Sequence, residues 1–171
     1  KASEHAGKLI KGLVAPTYEL KHAGPIYAWA YKELQEAQQP DLYVLVGTAY
    51  SGLEQPVAMT DKDFETPLGL VKVERAVTDR LREQIPSAFT DELAHHNEHA
   101  LELQLPFLQE SLGKDHPFTI VPILTSFSAD SLRDPQIREQ VETFLQALKD
   151  ALVATGKTYC VVVGAELAHI G

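Results

Sequence analysis

Apolar residues gather in four short runs along the chain, LIKGLVAP (9–16), DLYVLVGT (41–48), FTIVPILT (118–125) and TYCVVVGA (158–165). Each is rich in Val, Ile and Leu and does not alternate with polar residues, the pattern of strands covered on both faces of a parallel sheet. The segments between them carry a helical period. PIYAWAYKELQEAQ (25–38) opens on a proline suited to a first helical position and sets Ile26, Ala30, Tyr31 and Leu34 on one stripe. A charged amphipathic stretch runs from Thr78 to about Gln84, and HALELQLPFLQESL (99–112) predicts a helix interrupted or ended near Pro106. SLRDPQIREQVETFLQALKDALVATG (131–156) is the clearest helix, with Ile137, Val141, Phe144, Leu145 and Leu148 in phase and Gly156 as its stop. Strands alternating with helices predict an α/β fold, a mostly parallel sheet flanked by helices. The stretch 50–73, punctuated by Gly52, Pro56, Pro67 and Gly69, reads as surface loops with a short hairpin.

Composition narrows the function classes. The 171 residues fit one domain, and 44% apolar with 23% charged residues is the make-up of a globular protein rather than a disordered one. A net charge of −9 repels a phosphate backbone, so nucleic acid is not an expected partner. No apolar run reaches the ~20 residues that span a bilayer, and the start lacks a signal-type apolar core; no membrane is expected and the location reads as cytoplasmic. A single cysteine, Cys160, excludes a disulfide framework and a multi-thiolate zinc site.

Ligands of open α/β sheets sit outside the carboxyl ends of the strands. Those ends are Thr17 to Glu19, Ala49 to Gly52, Thr125 to Ser128 and Glu166 to His169. The chain stops just past the fourth, so it reads as a segment of a longer protein. Glu98-His99 is a candidate general acid or base, or else a helix-start pair; His169 sits beside Glu166 at a strand end. Tyr50 offers a phenol that binds a ligand, ligates ferric iron or fills a hole. His95 and His96, with His99, have the spacing of an adventitious zinc or nickel chelator. Cys160, inside a Val-rich strand, reads as a small hydrophobe. Neither Gly47-Thr48 nor Gly164-Ala165 forms a phosphate-cradling loop, and Ser51, Ser126 and Ser128 lack a nucleophile elbow.

Several ordered stretches resemble the Memo family, also called AmmeMemoRadiSam system protein B: GLVAPTYELKHAGPIYAWAYKEL (12–34), DLYVLVGTAY (41–50), DFETPLG (63–69), NEHALELQLPFL (97–108) with FTIVPIL (118–124), and VVVGAELAHIG (161–171). The resemblance implies an extradiol dioxygenase-like fold whose non-haem iron sits on two imidazoles and a carboxylate. It also implies a single domain over 1–171, incomplete at the C-terminal side and lacking the family's first segment. At the family's ligand positions the sequence departs. Thr17 stands where a histidine follows the first strand, and His22 lies five residues too far along to replace it. Tyr50 stands at the second histidine, Ala168 at the third ligand position, and Glu166 at the acidic residue of that turn. Neither Thr nor Ala supplies a nitrogen donor, so the inherited site reads as degenerate, with no metal and no cofactor expected. Glu98, His99, Glu166 and His169 are then the catalytic candidates and Thr17, Tyr50 and Glu102 the ligand-binding ones, all expected in one cleft, with Tyr50 filling the space of the ion. The reading is a non-catalytic or repurposed domain binding a protein partner or a small molecule, with a homo-oligomer left open. Its alternative is a metal-dependent oxidoreductase with non-haem iron or copper on a site rebuilt from His99, His169, Glu166 and Tyr50.

Overall fold

The computed structural model describes residues 5–113 and 116–166. The four apolar runs become β1 (Gly12–Ala15), β2 (Leu42–Thr48), β6 (Thr119–Thr125) and β7 (Tyr159–Gly164), parallel to one another wherever they pair. Between β2 and β6 lie β3 (Val57–Met59), β4 (Phe64–Thr66) and β5 (Gly69–Val73). The sheet runs β1-β7-β2-β6-β5-β4, with β3 antiparallel against the end of β6. The fold is therefore α/β with a mostly parallel, mixed sheet.

Region 50–73 is more ordered than its composition predicts. The hairpin is real, β4 against β5, but β3 is sheet rather than surface loop: Val57, Ala58 and Met59 are buried. Three residues are too few for a period to register, and only the exposed edge of β6 decides their pairing.

Helices α1 (Leu20–Glu36) and α4 (Leu105–Leu112) cover one face of the sheet; α2 (Arg75–Gln84) and α5 (Pro135–Thr155) cover the other. α1 begins five residues before Pro25, which lies inside the helix. Gly24 makes this tolerable, because a residue without Cβ escapes most of the clash with the following pyrrolidine ring. The buried stripe is Ala23, Tyr27, Tyr31 and Leu34, while Ile26 is exposed and Ala30 only partly covered. Two phenol rings set that rotation: Tyr27 and Tyr31 stack on Phe107 of α4 at centroid distances of 4.6 and 5.6 Å. Pro106 opens α4 rather than ending a helix, since a first turn has no use for its missing N–H.

In α5 the Asp134 side chain accepts from the Gln136 N–H at 2.8 Å, Pro135 takes the first turn, and Gly156 closes the helix with φ of 66°. Val141, Phe144, Leu148, Ala151 and Leu152 are buried, whereas Leu145 is exposed, against the sequence expectation. Its flank of α5 meets no covering element among the described residues.

Beneath this face Glu74, buried at the start of α2, accepts from the Thr119 hydroxyl at 2.7 Å and from the Lys157 ammonium, tying α2 to β6 and β7. On the other face the Tyr43 hydroxyl is buried with no hydrogen-bond partner among the described residues. Tyr43→Phe removes a desolvated group that makes no bond, so urea unfolding of that variant should show stability unchanged or raised by up to about 1 kcal/mol.

Candidate functional site

The segment from Glu98 to Gln104 lies across the carboxyl ends of β7 and β2, and two glycines let it approach. A Cβ on Gly47 would meet the Ala100 Cβ at 2.8 Å and the Leu101 side chain at 2.9 Å. One on Gly164 would meet the Thr17 methyl at 2.6 Å, the Gln104 amide at 2.9 Å and the Ala100 carbonyl at 3.0 Å. Gln104, fully buried, locks the segment down: its amide nitrogen donates to the Pro16 carbonyl at 2.9 Å and the Ala100 carbonyl at 3.3 Å, and its oxygen accepts from the Tyr31 hydroxyl at 2.7 Å. The segment is not the long helix its sequence predicts. Glu98 is extended backbone after the single turn α3 (Ala94–Asn97), and a 3-10 turn (Glu102–Gln104) leads into α4.

This framework brings together four of the candidates. Thr17, buried after β1, and Tyr50, after β2, share a hydrogen bond of 3.0 Å between their hydroxyls. The Tyr50 ring stacks on the exposed His99 imidazole, with centroids 5.8 Å apart and planes 8° from parallel. Tyr50 is 47% exposed, so it roofs the buried hydroxyl rather than filling an interior hole. Glu98 is buried beside them and accepts from the Ser51 backbone at 2.8 Å and the Ser51 hydroxyl at 2.5 Å.

Burial raises the Glu98 pKa, but the Ser51 and Tyr50 hydrogen bonds and the nearby His99 outweigh it and leave the carboxyl below its usual range. A carboxylate held that low contributes stability above about pH 4.5 and loses it as acid titrates the folded state. Ser51→Ala should therefore cost about 1.5 kcal/mol in urea unfolding at pH 7 and make the loss of stability below about pH 4.5 shallower, because the folded carboxyl then protonates closer to where the unfolded one does. An unchanged acid limb would show that the Ser51 hydroxyl does not hold Glu98 ionised.

Glu166 follows β7 and is partly buried; Glu102 is exposed on the 3-10 turn; Ala168 and His169 lie outside the described residues. His22 is exposed in the first turn of α1, 3.4 Å from the Glu19 carboxylate. The histidine chelator does not form: His95 is buried with Nε2 3.1 Å from the Ala58 carbonyl, while His96 is exposed, because the turn that starts α3 points one ring inward and the next outward. Cys160 is buried, and burial pushes its thiol up to about 12, which removes nucleophilic character. Sequence reasoning missed Gln104, Ser51 as the holder of Glu98, and the close approach at Gly47 and Gly164. A buried glutamine in a helical period carries no signal of its own.

The metal positions that the family resemblance implies are Thr17, Tyr50 and Ala168, the last of them outside the described residues. At the two first positions stand a neutral hydroxyl and a phenol bonded to each other, and the buried carboxylate is engaged by Ser51. Among the described residues no three His, Cys, Asp or Glu side chains lie close enough to hold an ion.

The family model described as Memo-like protein matches residues 2–171. Relatives named MEMO1 family protein include one from Thermotoga neapolitana, 34% identical over 141 residues, which covers 80% of this chain and 50% of the relative. Another, from Ignicoccus hospitalis, is 32% identical over 92% of this chain and 52% of its own length. A third, from Pyrococcus furiosus, is 33% identical over 88% and 51%. The chain spans about half the length of the curated relatives it matches. With the family model covering nearly every residue, the chain belongs to the Memo-like family.

Proposed function

We propose that this chain is a Memo-family domain whose cleft works without a resident transition metal, as a site that binds a small molecule rather than as a redox centre. The observation that carries this reading is the 3.0 Å bond between Thr17 and Tyr50, which ties the two inherited positions to each other through groups that are poor ligands for first-row ions. Around them the cleft offers what a small polar ligand uses. The stacked Tyr50 and His99 rings present a flat exposed face, and the buried Glu98 carboxylate supplies a fixed negative charge in a partly desolvated place. His99 beside Glu98 can exchange a proton with a bound group, but the reading requires no chemistry of it.

Elemental analysis of protein purified without a histidine tag, followed by calorimetric titration with ferrous and cupric ions, tests the reading. The unmodified chain is expected to carry far less than one ion per chain. Thr17→His with Tyr50→His restores two imidazoles and should tighten binding at least about tenfold, a gain of about 1.4 kcal/mol. Stoichiometric iron, copper or zinc on the unmodified chain overturns the proposal and favours a rebuilt oxidoreductase site on Tyr50, His99, Glu166 and His169. A double variant that gains nothing shows that the cleft no longer has the geometry of a ligand site.

A further inference from the structure

The sheet is covered unevenly on the α5 face, and the burial of its residues falls off in one direction. Ile123, Val46, Val163 and Val14 lie side by side across β6, β2, β7 and β1. Ile123 is 2% exposed, Val46 and Val163 are partly exposed, and Val14 is 52% exposed. The next row behaves the same way: Val121 and Val44 are buried, Val161 is partly exposed and Gly12 is exposed. α5 thus lies over β6 and β2 and reaches only part of β7. One of its exposed apolar side chains, Leu145, projects from the flank opposite Thr143 and Ala147, which share a groove with Gln84 of α2. Leu145 therefore borders the bare strip. Parallel strands are ordinarily covered on both faces, and among the described residues β1, which carries Val14, has a neighbouring strand on one side only.

Topology says what fits there. The β1-α1-β2 crossover runs across the sheet in one direction with its helix on one face. The β6-α5-β7 crossover runs the other way with its helix on the other face, as a constant right-handed rule requires. A further unit stepping outward from β7 past β1 runs in the same direction as the α5 crossover. Its helix would lie on the α5 face over Val163 and Val14, against Leu145, and its strand would pair with the free edge of β1. Such a unit needs more chain, and the relatives are about twice as long as the stretch they share with these residues.

We infer that the strip Val14, Val163 and Leu145, with the edge of β1, is the docking surface for a helix and strand of the same polypeptide, drawn from the half of the Memo-family length that these 171 residues do not span. This rests on family membership and not on the ligand chemistry of the cleft, so either reading can fail alone.

Carbene footprinting compares the 171-residue chain with the product of its complete reading frame. In the 171-residue chain Val14, Leu145 and Val163 should label, and Val14→Lys and Leu145→Lys should each move Tm by less than about 2 °C, as open surface positions do. In the complete product Val14 should label about fivefold less, the change from half-exposed to buried, with Trp29 on the outside of α1 as the unchanged control. A longer product that leaves the strip labelled overturns the inference. So does a complete product of these residues alone, whether the strip stays open or is protected by a second copy. A lysine variant that unfolds the 171-residue chain overturns it as well, because the strip would then already be buried.

Discussion

Gly164→Ala should lower stability by about 3 kcal/mol, the upper part of the range for overpacking, and reduce Tm by roughly 6–12 °C for a chain of this size. The added methyl meets the Thr17 methyl at 2.6 Å and the Ala100 carbonyl at 3.0 Å, and neither can step aside. Thr17 is buried and bonded to Tyr50, while Ala100 belongs to the segment that Gln104 fastens to Pro16. Relief therefore comes only by lifting the Glu98–Gln104 segment from the sheet. That movement separates Thr17 from Tyr50 and breaks the buried Gln104 bonds. Urea unfolding with circular dichroism measures the loss; a destabilisation under about 1 kcal/mol would show that the segment is not held as close as the geometry requires.

The second large effect is an acid limb set by His95. Burial pushes its pKa down from 6.5 to about 4, against the smaller opposing effects of the Ala58 carbonyl and Glu92. Its Nε2 shares a hydrogen bond with that carbonyl, and Nδ1 has no partner among the described residues, so the neutral ring fits and a second proton finds no acceptor. Between about pH 6.5 and 4 the unfolded chain binds a proton that the folded chain refuses. Stability therefore falls with pH through that window, by about 3 kcal/mol in total. His95→Gln keeps a donor for the Ala58 carbonyl and cannot titrate, so its stability should be nearly flat over the same range. The depressed carboxyls Asp41, Glu74 and Glu98 lose their contributions at lower pH, which separates the two limbs. Parallel pH profiles for wild type and His95→Gln would refute a role for this ring. Loss of His95 packing also loosens α3 from β3, the step in the chain just before Glu98.

The site illustrates how function depends on contacts far apart in sequence. Thr17 and Tyr50 are 33 residues apart and Ser51 and Glu98 are 47 apart, yet each pair is a direct hydrogen bond. The family resemblance singled out Thr17, Tyr50, Glu98 and His99, together with Glu102, Glu166 and His169, as one group. It did not reveal that Tyr50 would lie half-exposed as a roof, or that Ser51 would hold the carboxylate.

The sequence by itself determined the four strands β1, β2, β6 and β7, the main helices between them and the positions of the strand ends. Those features are local: runs of β-branched residues without polar alternation, helical periods, and the Asp134, Pro135 and Gly156 signals that bound α5. Tertiary structure alone decided the rotation of α1, the order of β3 and the course of the Glu98–Gln104 segment. Tyr27 and Tyr31 turned α1 toward Phe107 and left Ile26 outside. Three residues of β3 became a strand because the end of β6 had an unpaired edge. The segment over the sheet exchanged a continuous helix for an extended Glu98 and a 3-10 turn, with two glycines and a buried glutamine holding it close to the strand ends. Each of these outcomes depends on surfaces brought together from distant parts of the chain, and a local pattern carries no information about what it will meet.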